Sequence, residues 1–263
     1  MRTGIFQCAG GALSITERLA RLHDAIAGKQ SNPESRLELV VCPELFASGY
    51  NVGDSLLDLA SPAHGDLFEQ FAALAKMLDV AIVYGYPEQG DGCIYNSAAF
   101  VSARGELLAN HRKQLNSPGS FEEKYFTPGD RFTMLNFAGV AIAIMICYEV
   151  EFPESVRMAA ARGAELVIVP TALVDQWGVI ADRVVPTRAF ENGIWLAYAN
   201  HAGHENGLDY LGSSKIVAPD GHIEANAGPH EELIVAMIDR QRVQAAQKRL
   251  PYLRDCKKYS RNT

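Results

Sequence analysis

The chain has 263 residues, 48% apolar and 21% charged, enough apolar material for one large buried core. A net charge of −7 without any long basic run argues against nucleic acid or an anionic membrane as the main partner, since basic patches hold both. The cysteines at 8, 42, 93, 147 and 256 are odd in number and widely spaced, which suits reduced thiols and no disulfide frame or metal site. With no secretion signal in MRTGIFQCAGG and no apolar run near the roughly 20 residues that span a bilayer, a cytoplasmic protein is expected.

The first predicted element is a helix over 15–27, where Ile15, Leu19, Leu22 and Ile26 share one stripe. An apolar run at 37–42 follows, then a second helix over 66–78 on Leu67, Phe71, Leu74 and Leu78. Further continuous runs at 80–84, 140–146, 166–169 and 194–199 predict strands buried on both faces. Between them, 94–101 and 105–110 form a predicted hairpin turning at Arg104-Gly105. Proline and glutamate open a helix over 153–162, and Gly163 stops it. A fourth helix is predicted over 179–191, and a second hairpin joins 213–219 to 221–225 through Asp220-Gly221. Strand–helix alternation of this kind implies a layered α/β fold.

Ligands of open α/β sheets bind beyond the carboxyl ends of the strands. The residues that follow the apolar runs are therefore the candidates: Cys42-Pro43-Glu44, Tyr86-Pro87-Glu88, Cys147-Tyr148-Glu149, Pro170-Thr171-Ala172 and Asn200-His201. Cys147 falls at a strand-to-helix corner, where backbone N–H groups can favour a thiolate and hold an oxyanion. A small buried cysteine is equally compatible with its position alone. Taken singly, Glu44 suits a strand-end cap, Lys113 a surface lysine and Glu122 a loop charge. Together they could supply a nucleophile, a base tuned by burial, and a cationic partner for an oxyanion.

In this combination the sequence resembles the nitrilase, or carbon–nitrogen hydrolase, superfamily. The resemblance runs through CPELFASGY, HRK, FEEKYFTPG and MICYEVEFPE, then RMAAARGAELVIVPTA, RAFENGIWLAYANHAG and GSSKIVAPDG. It implies a four-layer αββα sandwich over residues 1–263, without metal or organic cofactor. It also implies a homodimer or higher homo-oligomer, with the tail from about 245 to 263 expected in subunit contacts. Glu44 would be the base, Cys147 the nucleophile, and Lys113 with the Tyr148 backbone N–H the oxyanion donors. Glu122 fits the second glutamate better than its neighbour Glu123. Two departures stand out: Lys113-Gln114-Leu115-Asn116 replaces the common Lys-x-His-Leu, and Glu149 and Glu151 stand where many members have Asp and Arg.

Within the superfamily the blocks look most similar to aliphatic amidases, especially 5-aminopentanamidase and stereoselective amino-amide hydrolases. The expected reaction is hydrolysis of a short aliphatic carboxamide, amine-bearing ones among the candidates, to an acid and ammonia. Candidate substrate contacts are Tyr50, Glu149, Thr171 and Trp177; Asn96 also lies in or near a strand-end loop, and Glu151 is a second acidic residue that would suit an amine. An N-carbamoyl hydrolase or a nitrilase would use the same residues, and a silent binding scaffold would keep the fold without turnover. A Cys–His protease needs His201 or His204, yet the papain-type nucleophile motif is missing. His201-x-x-His204 has no HExxH or third ligand cluster to make a metal site.

Overall fold

The structure is a computed structural model, described here for residues 1–258. It holds two six-stranded mixed sheets. The first contains β1 (Arg2–Gln7), β2 (Leu39–Val41), β3 (Ala81–Gly90), β4 (Cys93–Val101) and β5 (Leu107–Arg112). The second contains β6 (Thr133–Phe137), β7 (Val140–Ile144), β8 (Leu166–Pro170) and β9 (Trp195–Ala199). A separate hairpin, β10 (Ala202–Glu205) and β11 (Leu208–Leu211), precedes β12 (Lys215–Val217) and β13 (Ile223–Asn226), which complete the second sheet. The last strand, β14 (Glu232–Met237), returns to the first sheet and pairs antiparallel with β1. The spatial orders are β14-β1-β2-β3-β4-β5 and β13-β12-β9-β8-β7-β6.

Period-two burial explains the layering. In β1–β4, Ile5, Leu39, Val41, Ala81, Val83, Ala98 and Phe100 face the second sheet, where Ile142, Ile144, Val167 and Val169 join the same core. Their neighbours Phe6, Val40, Ile82, Tyr84, Ala99 and Val101 face the other way. That outer face is covered by helices α1 (Ile15–Gln30) and α3 (Asp66–Leu78), with the short α2 (Leu56–Leu59) between them in sequence. The one-turn α4 (Glu122–Tyr125) links the sheets, and α5 (Pro153–Ala161) and α6 (Val185–Asn192) cover the second sheet. Then come α7 (Arg240–Arg249) and α8 (Tyr252–Asp255). The mixed α/β sandwich implied by the resemblance is what the chain forms.

The predicted helices are all present, with informative differences. Helix α1 starts at Ser14, whose hydroxyl accepts from Glu17 N–H while Glu17 accepts from Ser14 N–H; this reciprocal cap fixes its first turn. The helix predicted over 179–191 begins instead as a π-helical turn, Ile180–Val184, before α6. Pro186 at the start of α6 has no N–H to give, so the preceding turn need not be α-helical. Strand β1 escaped the sequence reading because its apolar residues are interrupted by Gly4 and Gln7. The Gln7 amide is nevertheless buried, donating to the carbonyls of Gly228 and His230. Of the tail about 245–263, residues 259–263 lie outside the described region.

Candidate active site

The parallel cores β1-β2-β3 and β7-β8-β9 place their carboxyl ends at one edge of the sandwich. Glu44 follows β2, Lys113 follows β5, and Cys147 follows β7, so the first sheet supplies the charged pair and the second the thiol. Two glycines allow the close packing that this requires. At Gly85 a Cβ would collide with the backbone of Pro43 and Leu45 on either side of Glu44. At Gly129 it would meet the Arg112 backbone, where Gly129 N–H donates to the Lys113 carbonyl at 2.7 Å.

Glu44, Lys113 and Glu122 form a fully buried ionic cluster. The Lys113 ammonium donates to Glu44 Oε1 at 2.8 Å, to both Glu122 oxygens at 2.8 and 2.7 Å, and to Ser117 Oγ at 3.2 Å. Glu44 Oε1 also accepts from Asn96 Nδ2 at 2.7 Å, whereas Glu44 Oε2 has no partner among the described residues. Glu122 is fixed further by the Tyr50 hydroxyl at 2.6 Å and Ser117 N–H at 3.1 Å. Its neighbour Glu123 is exposed, so the choice between the two falls on Glu122.

Electrostatics separate the two carboxylates. Burial raises the pKa of Glu44 to about 7, against the pull of the Lys113 charge. Burial acts the same way on Glu122, but the Lys113 charge and hydrogen bonds outweigh it and hold the group below its ordinary value. Desolvation would lower the Lys113 pKa, yet the two carboxylates raise it overall, so the ammonium stays charged. For Cys147, burial first and then the Glu44 charge push the thiol pKa up, with Lys113 opposing. The site at rest therefore holds a thiol beside a carboxylate poised to change its charge near neutral pH.

Cys147 is 8% exposed and adopts φ +48°, the left-handed conformation of a sharp corner. It opens a single 3-10 turn, Cys147–Glu151. Ala172 N–H donates to the sulfur, a contact that partly offsets the rise in its pKa. The Tyr148 N–H, one residue on, has no hydrogen-bond partner among the described residues. The thiol opens into a cavity of about 780 Å³ walled by Tyr50, Phe121, Tyr148, Trp177, Ile180 and Leu208. Trp177 is 56% exposed and forms its rim. Glu151 is the charged side chain of the wall, half-buried and without a hydrogen-bond partner among the described residues.

Two expected substrate contacts are corrected by the structure. Glu149 points away from the cavity: Oε2 accepts from Ile146 N–H at 2.6 Å and from His111 Nε2 at 2.9 Å, and Oε1 accepts from Gln114 N–H at 3.0 Å. The one-turn geometry puts residues 149 and 151 on different sides, which spacing along the sequence does not reveal. Thr171 is fully buried beneath the sheet edge, with its hydroxyl donating to the Tyr198 hydroxyl. Tyr50 and Trp177 do line the cavity.

Sequence reasoning missed Ser117, the Ala172 N–H and Glu205. A backbone N–H leaves no sequence signal, since any residue but proline supplies one. Glu205 accepts from the N–H groups of Tyr50 and Asn51 and from the Tyr210 hydroxyl, so it holds the loop that carries Tyr50. Its signal was Asn206-Gly207, a strong hairpin turn sequence.

His201 and His204 do not converge. His204 pairs with Asp209 on the surface. The His201 Nε2–H donates to the Glu44 carbonyl at 2.7 Å, and burial lowers its pKa to about 4, so the ring is neutral at working pH. We expect His201→Gln to retain kcat within about tenfold of the parent, because no proton transfer runs through the ring. Loss of about 10³-fold in steady-state assays would instead make histidine the base.

This layout, a buried thiol facing an ion-paired carboxylate at the open end of an α/β sandwich, places the chain in the class of cysteine hydrolases. More particularly, the carbon–nitrogen hydrolase family model matches residues 2–248, and the chain belongs to that family. It is 40% identical over 244 residues to the protein described as hydrolase in the pqqF 5′ region of Pseudomonas protegens, covering 92% of this chain and 84% of the relative. It is 34% identical to an (R)-stereoselective amidase of Pseudomonas sp, covering 97% and 91%. Among solved structures, an amidase from Nesterenkonia sp. AN1 superposes with a TM-score of 0.87 at 32% identity, over 100% of this chain and 96% of that one. In that structure, of a Glu→Gln variant, the acetamide moiety of fluoroacetamide is bound covalently at the active-site cysteine.

Proposed function

We propose that the protein hydrolyses a short aliphatic carboxamide to the acid and ammonia through a Cys147 thioester. The observation that carries this reading is the free oxygen of Glu44: a buried carboxylate with Oε1 tied to Lys113 and Asn96 and Oε2 left without a partner, near enough to Cys147 for its charge to raise the thiol pKa. Glu44 takes the Cys147 proton as sulfur attacks the amide carbon. The carbonyl oxygen becomes an oxyanion held by Lys113 Nζ and the Tyr148 N–H. Glu44 returns its proton to the departing nitrogen, and ammonia leaves. Water, deprotonated by the same carboxylate, then attacks the thioester; the C–S bond breaks, Glu44 returns the proton to the Cys147 sulfur, and the acid leaves. Glu122, with its low pKa, keeps the ammonium in place throughout.

The cavity wall favours amides with a cationic amine over acids. Its charged side chain is Glu151, with no arginine or lysine among the residues that line it. An N-carbamoyl acid would bring a carboxylate toward that glutamate. The relatives support the amide reading, one being named an (R)-stereoselective amidase and another an amidase crystallised with butyramide. Assembly as a homodimer belongs to the same proposal. It is supported by the family resemblance and by the half-exposed ring pair Phe190–Tyr252 on the covering helices.

Ammonia release from 5-aminopentanamide, hexanamide, ω-amides, N-carbamoyl acids and nitriles tests it, with Cys147→Ala as control. We expect turnover of amides alone, highest for the amine-bearing one and absent in the control. Turnover of nitriles or carbamoyl acids in preference to amides would replace this reading with one of those.

A further inference from the structure

Lys113 and Cys147 come from different sheets, yet the oxyanion donor and the nucleophile must sit at fixed spacing to act on one carbonyl. Misplacement of reacting groups by about 1 Å costs on the order of 100-fold in rate. Among the ties that cross between the sheets at this edge, two hold the reacting groups. The first holds Glu44: its N–H donates to the Thr171 carbonyl at 3.3 Å, and its carbonyl accepts from His201. The second is the Glu149 carboxylate.

Glu149 accepts from the backbone N–H of Gln114, the residue after Lys113, and from that of Ile146, the residue before Cys147. Its third donor, His111, lies on β5 two residues before Lys113 and is itself held by Thr133 on β6 at 3.1 Å. Three N–H groups converge on two oxygens, an arrangement that suits an ionised carboxylate, which only accepts. The residue is 3% exposed and lies outside the cavity. It is therefore unavailable to substrate, while it joins the immediate neighbours of both reacting groups. We infer that Glu149 is a positioning residue that sets the distance between the Lys113 ammonium and the Cys147 sulfur.

This inference rests on the amidase reading for its rate effects, so the test has two readouts. Glu149→Gln keeps the size but offers an NH₂ where one of the three donors needs an acceptor. We expect kcat for ammonia release, normalised to titratable Cys147, to fall about 30-fold with KM within about threefold. We also expect alkylation of Cys147 by iodoacetamide, which needs no turnover, to slow several-fold per folded molecule. Should Glu149→Gln not fold, His111→Phe removes one of the three ties and is expected to lower kcat about fivefold with KM unchanged. Normal kcat per titratable site and normal alkylation in the folded variant would overturn the inference, as would a loss of activity accounted for entirely by a smaller folded fraction. A parent protein that releases ammonia from no amide would end the amidase reading. Alkylation would then decide the positioning role: slowed in the variant supports it, unchanged overturns it.

Discussion

Glu44→Gln is expected to lower kcat about 10³-fold while leaving KM within a few-fold, the middle of the range for removal of a general base. Glutamine still offers an oxygen to Lys113 and Asn96, so the cluster keeps its shape and the loss isolates proton transfer. The parent should show an acid limb in kcat/KM near pH 7, because Glu44 must be ionised to accept the thiol proton and burial has lifted its pKa to about 7. In the variant that limb should vanish.

Stability gives an independent check on the same residue. A carboxyl whose folded pKa lies above its unfolded value of 4.5 contributes stability that is fully present below pH 4.5 and lost as pH rises through about 7. The full cost of ionising it is on the order of 3 kcal/mol. Denaturant titrations should therefore show the parent losing stability between these pH values from this group, and Glu44→Gln losing less. An acid limb unchanged in the variant would remove Glu44 from the role of base.

Lys113→Met is expected to have the second large effect, on both rate and fold. Removing one oxyanion donor costs about 10² to 10³ in kcat. It also strands Glu44 and Glu122 together without a counter-charge, and breaking a buried ion pair from one side typically costs about 3–5 kcal/mol. The carboxylates respond by holding protons, so their folded pKa values rise. By the same sign rule, the variant should be closest to the parent in stability at low pH and fall behind as pH increases. Urea melts at about pH 5 and pH 8 decide this; equal destabilisation at both would mean that the carboxylates carry no charge in the parent.

The strand framework was legible because β7, β8 and β9 are buried on both faces and so read as unbroken apolar runs, each ending at a site loop. Cys147 could be placed at a corner for that reason. What stayed hidden depends on direction. Glu149 and Glu151 are two residues apart in one tight turn, and only coordinates tell which one enters the cavity and which one braces the sheets. Thr171 follows its strand as a pocket residue would, but its side chain turns inward to Tyr198. Strand β1 carries a buried glutamine satisfied by carbonyls more than 200 residues away, a partnership that no local pattern encodes.

The pairing of β1 with β14 has a consequence for the order of assembly during synthesis. Strands β2 to β5 can pair as they emerge, but β1 keeps an open edge until β14 has left the ribosome, after every strand of the second sheet has been made. Gln7, which bonds the carbonyls of Gly228 and His230 and accepts from Ser214 N–H, also waits for that late segment. A nascent chain halted before residue 232 should thus carry all of the reacting side chains and still lack the hydrogen bonds that close the first sheet. Competence would arrive late, once β14 has emerged, so that Cys147 is not matured on a half-built first sheet.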